Sequence, residues 1–90
     1  MSAAIVDPAE LRRFALGLRK FNTSLAEQMA ALATQVEMLS TTWRDQENQR
    51  FTEDFLQNLD GLSRFVEGNN QYIPFLLRKA DRIDEYLQQR

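Results

Sequence analysis

Two apolar stripes constrain this chain more than any other feature. In its first half Leu11, Phe14, Leu18, Phe21, Leu25, Met29, Leu32, Val36 and Leu39 recur in steps of three and four, the spacing that lines one face of an α-helix. In its second half Phe55, Leu59, Leu62, Val66, Ile73, Leu76, Ala80, Ile83 and Leu87 do the same, with Asn69 in the slot between Val66 and Ile73. A short polar run, centred on the only tryptophan, separates them. The fold class that follows is all-α: an antiparallel two-helix hairpin forming a single domain over residues 1–90.

Asp7, Pro8 and Glu10 spell a helix start, with a capping carboxylate, a proline suited to the first turn and an acid at the third position. The first helix is expected over about residues 8–40, roughly 48 Å long; Gly17 inside it costs only about 1 kcal/mol against alanine. A turn over about 41–45 and a second helix over about 46–88 complete the hairpin. Either Thr42 or Asp45 caps that second helix. Trp43 continues the first stripe by four from Leu39 and is expected to fold over the hairpin's end as a lid. Residues 67–74, "EGNNQYIP", carry breaker chemistry. The apolar phase nevertheless passes through them unbroken, so the second helix is either continuous with a kink or broken near 68–74.

Folding the chain at the turn pairs residues whose numbers sum to about 87. Leu25 then faces Leu62, Phe21 faces Val66, and Asn69 faces Leu18 as a polar register marker. Glu67 comes near Arg19 and Lys20, and Glu10 near Arg78. Beyond Leu76 the first helix runs out, leaving an overhanging arm whose apolar positions Ala80, Ile83, Tyr86 and Leu87 form the candidate partner-recognition element; a frayed tail is the alternative. Apolar surface beside the seam exceeds what one facing helix can bury. That excess predicts association with a second hairpin, as a homodimer or a heterodimer, into a four-helix bundle.

Composition narrows function further. The 90 residues include no cysteine and no histidine, which removes disulfides, thiolate metal sites and the commonest general base. The acids at Glu53 and Asp54, and at Asp81, Asp84 and Glu85, read as solvated helix faces. A di-metal carboxylate bundle needs a Glu-x-x-His pair that is absent. No catalytic residue, metal or cofactor is therefore expected. A net charge of −2 and a pI near 5.0 give no global attraction to nucleic acid. The basic pairs Arg12–Arg13 and Arg19–Lys20 make too narrow a strip for a membrane-active helix. The N-terminus lacks the pattern of a cleaved signal peptide, so the chain is expected to be made in the cytoplasm, with export open only to a route that reads no such signal.

In layout the whole chain resembles the WXG family, small helical hairpins of the early-secreted-antigen type handled by bacterial type VII secretion systems. The motif likeness lies in the turn, where Trp43 is followed eight residues later by the aromatic Phe51. Asp45 stands where the family pattern has glycine. The family's tail motif, tyrosine followed four residues later by an acid, is not met: Arg90 follows Tyr86 and Leu76 follows Tyr72. The resemblance implies a secreted substrate or substrate partner that pairs with a similar hairpin and is read by a secretion ATPase. The turn residues it singles out are Trp43, Asp45 and Phe51. A cytoplasmic interaction module that is not exported is the alternative.

Overall fold

The computed structural model describes residues 6–89. Two helices, α1 (Pro8–Leu39) and α2 (Gln46–Gln88), lie antiparallel in a rod measuring 69 × 22 × 14 Å. Asp7 caps α1 by accepting from the Ala9 N–H at 2.9 Å, with Pro8 in the first turn. Asp45, rather than Thr42, caps α2, accepting from the Asn48 N–H at 3.0 Å. Thr41 and Thr42 instead turn their hydroxyls back onto the Met38 and Leu39 carbonyls, which also accept the backbone N–H groups of Thr41, Thr42 and Trp43 at the end of α1. Helix α2 is continuous through residues 67–74, with Pro74 inside it.

The buried positions reveal how the helices meet. On α1 they are Ala15, Asn22, Met29 and Val36, and on α2 they include Leu59, Val66, Ile73 and Ala80, each set in strict steps of seven. A seven-residue period is that of a left-handed coiled pair. The α2 seam agrees with the stripe read from sequence. On α1 the seam is displaced by one position along part of its length: Ala15 and Asn22 are buried, whereas Phe14 and Phe21 are more than half exposed.

The register also differs from the one expected. Asn69 donates to the Asn22 side chain at 3.2 Å, so its partner stands one helical turn beyond Leu18. Extended along the seven-residue repeat, this register sets Leu25 level with Val66, Leu11 with Ala80 and Pro8 with Ile83. Among the described residues, the ion pairs that cross the hairpin are Arg12–Asp81 at 2.7 Å and Arg12–Asp84 at 2.6 Å, in place of those expected for Glu67 and Glu10. Ala80 is accordingly 0% exposed, and Ile83 is half-buried. The arm that extends past α1 is therefore shorter than the sequence suggested; residue 4, which a sum of 87 sets against Ile83, lies outside the described residues.

Candidate interaction surface

A seven-residue repeat places every position around its helix. With the buried rows at the centre, Phe14 and Phe21 of α1 fall to one side, and Phe51, Phe65, Tyr72 and Tyr86 of α2 form one row on that same side. The edge-to-face contact of Phe21 with Phe65, ring centroids 6.4 Å apart, ties the two rows together across the seam. Phe14 is 61% exposed, Tyr72 59% and Phe65 50%. Exposed Leu32 and Leu62 continue the patch between Phe21 and Phe51. An aromatic side chain offers about 150–250 Å² for burial, so six rings near half exposure leave roughly 600 Å² uncovered. With the leucines added, that is at or above the largest patch of a typical monomer, about 300–600 Å².

The opposite side has a different character. There Ala26, Ala30, Ala33, Leu56 and Ser63 edge a shallow groove floored by Met29, Leu59 and Val66. Nearer the open end Arg12 reaches both Asp81 and Asp84. Those two hydrogen bonds, to Asp81 and then Asp84, hold the guanidinium above its ordinary pKa. The hairpin thus carries its aromatic row on one face, while the other is made of alanines, scattered leucines and charged side chains.

The turn motif comes together in space. Trp43 is half-buried and lies against Phe51 with centroids 5.8 Å apart, and Phe51 stacks on Phe55 at 5.6 Å. This three-ring stack joins the turn to the start of α2. Beside it, buried Asn48 donates to the Ser40 hydroxyl at 3.1 Å and accepts from Thr52 at 3.1 Å. The backbone at Asp45 is extended, with φ −90° and ψ −179°, and no described residue has positive φ. Nothing in this turn requires glycine, and the carboxylate serves as the helix cap instead.

Of the proposed recognition residues, Ala80 is corrected: it is sealed inside the hairpin, and a partner cannot read it. Tyr86 and Leu87 remain exposed, and Tyr86 belongs to the aromatic row. Asn22 and the one-sided grouping of the aromatics escaped the sequence reading; the signal available was the step from Leu25 to Met29, where four follows four. Among the described residues, no helix is long and apolar enough to cross a membrane, and no group of three acidic side chains is placed to hold a metal ion. Comparison with protein-family models, curated proteins and solved structures finds no match.

Proposed function

We propose that this chain is a non-enzymatic, WXG-like protein of a type VII or related bacterial secretion system, acting as a secreted substrate or as the partner of one. The observation that carries the reading is the hairpin closed by a Trp43–Phe51 stack, with an aromatic face that its own chain leaves open. The stack gives physical content to the motif likeness, because an aromatic eight residues after the tryptophan is where α2 first turns back under the indole. Replacement of the family glycine by Asp45 is compatible with the same turn, since the position is extended and the carboxylate caps α2. On this reading the chain joins a similar hairpin into a four-helix bundle, and the exposed end of α2 around Tyr86 and Leu87 is offered to a secretion ATPase.

A second reading, a hairpin module that stays inside the cell, is favoured by one observation: Arg90 stands where the family's tail acid would be. Fractionating a producing culture into cells and medium decides between them. Export predicts the intact chain in the medium, dependent on the system's membrane ATPase. Retention in the cells, with a control substrate exported normally, refutes the secretion reading and leaves the intracellular module.

A further inference from the structure

We propose that the open end of the hairpin is a salt-sensitive clasp: beyond the Asn22–Asn69 layer the two helix ends separate as one unit, hinged where Gly17 stands level with Pro74 and latched by Arg12 on Asp81 and Asp84.

The hairpin is not uniform along its axis. Its apolar cluster, Met29, Leu59 and Val66 with Leu25, Ala33 and Phe55 packed against it, lies wholly on the turn side of the amide layer. On the other side, the register set by Asn22 and Asn69 pairs Leu18 with Ile73, Ala15 with Leu76, Leu11 with Ala80 and Pro8 with Ile83. Alanine occupies one side of two of these layers, and its methyl group buries far less apolar area than a leucine side chain. Between the two regions Asn22 bonds to both Asn69 and Asn70, so the apolar seam is interrupted there.

The weakest points of both helices fall beside this interruption. Helix α2 carries Gly68, Asn69, Asn70 and Pro74 within seven residues, and the proline leaves the Asn70 carbonyl without its helical donor. In the same register Gly17 of α1 is level with Pro74. A Cβ at Gly17 meets nothing within 4 Å, so packing does not require glycine there, and it weakens α1 relative to alanine. One weak helix would be splinted by its neighbour; two that are weak at one level yield together.

Past that level, among the described residues, the hydrogen bonds that join the helices are those of Arg12 to Asp81 at 2.7 Å and to Asp84 at 2.6 Å. Both are open to solvent, where salt screens them, so the clasp loosens as ionic strength rises. Once apart, the ends are about ten and fourteen residues long, lengths at which an isolated helix is marginal in water. Opening therefore frees their amides and bares Ile73 and Ala80, which the closed hairpin seals. Fraying of chain ends has a different signature: protection then climbs residue by residue from each terminus, whereas a clasp opens in one step.

Native-state hydrogen exchange of the full chain, at low salt and in 1 M salt and in rising subdenaturing urea, tests this. Amides of residues 12–17 and 76–84 are expected to share one opening constant and one urea slope, opening at least about ten-fold more often than those of 29–36 and 55–66. Arg12→Glu is expected to raise the shared constant by about five-fold at low salt. Adding Asp81→Lys and Asp84→Lys to that chain should bring it back, and both effects should fade in 1 M salt. Gly17→Ala with Pro74→Ala is expected to slow the shared opening by at least about ten-fold. Protection of the turn-side amides in each variant reports that the hairpin is folded. Protection that climbs smoothly from the termini overturns the proposal, as do different opening constants for the two segments, an Arg12→Glu chain that exchanges like wild type at low salt, or reversed charges that restore nothing. None of these readouts depends on whether the chain is exported.

Discussion

Asn22 and Asn69 sit in the seam between apolar layers, and replacing them separates polar pairing from apolar burial. Asn22 is 2% exposed and Asn69 8%. Asn22 accepts from Asn69 at 3.2 Å and donates to Asn70 at 2.9 Å, and among the described residues no buried side-chain polar atom lacks a partner. Asn22→Ala strands the Asn69 amide in a nearly dry site, a cost of about 1–3 kcal/mol, while the exposed Asn70 turns to water. Asn69→Leu strands the Asn22 carbonyl at a similar cost. Part of that cost is offset by burying a leucine, about 1.5–3 kcal/mol for full burial, so the net change is small.

The double variant Asn22→Leu/Asn69→Leu leaves neither partner unpaired and buries two leucines, so it is expected to equal or exceed wild-type stability. The coupling between the sites, from Asn22→Leu, Asn69→Leu and the double, should be about 1–3 kcal/mol in favour of the double. Urea denaturation at fixed chain concentration measures all four species. Cysteines introduced at Leu25 and Val66, level in the native register, report its loss: disulfide trapping should be efficient in wild type and less selective in the double variant, against a one-turn slipped pair at Leu25 and Leu62. Additive stabilities, with no coupling, would refute the claim that the two amides depend on each other.

Trp43→Ala removes a half-buried ring from the stack on Phe51 and is expected to cost about 2 kcal/mol, below the 3–5 of a fully buried aromatic; a Trp43→Ala/Phe51→Ala cycle in urea should show the two coupled. Asp45→Ala should cost about 1 kcal/mol through loss of the cap, whereas Asp45→Gly should cost only a few tenths, read from thermal melts. Arg12→Met should lower the melting temperature slightly at low salt and leave it unchanged in 1 M salt, because its bridges to Asp81 and Asp84 are solvent-exposed.

The sequence carried the helices more legibly than their relation to each other. Asp7, Pro8 and Asp45 marked the helix starts through their chemistry, and the seam of α2 could be read because Leu59, Val66 and Ile73 are themselves its apolar residues. On α1 the larger rings of Phe14 and Phe21 drew the stripe away from Ala15 and Asn22. A small residue and an amide carry little hydrophobic signal, but they are what fits where two backbones come close. The register error followed from folding the chain symmetrically about the turn, a procedure blind to the loop's own path, and it set Arg12 level with Phe75, well short of Asp81 and Asp84, the acids it binds. Both partners of that clamp stood out as charged clusters, yet spacing within one helix cannot show which charges meet across two.

Pro74 tests the balance that keeps α2 whole. Its ring crowds the Asn70 carbonyl and removes one donor, a cost of about 3 kcal/mol in a helix interior. Breaking the helix there would release Ile73, which is 5% exposed, at about 1.5–3 kcal/mol. It would also disturb the Asn22 contacts to Asn69 and Asn70, with a further 1–3 kcal/mol or so for an amide left unpaired. The losses on breaking match or exceed the proline penalty, so the helix continues through a segment whose local chemistry opposes it. Pro74 itself is exposed, and its removal sacrifices no packing. Pro74→Ala is therefore expected to stabilise the hairpin by about 1–3 kcal/mol, with solvation of the Asn70 carbonyl in wild type accounting for any shortfall from the full penalty. Amide hydrogen exchange should show protection gained at residues 74–78. A variant no more stable than wild type would mean that the proline is not strained in this helix, and that the pairing of Asn22 with Asn69 and Asn70 is not what holds the segment in place.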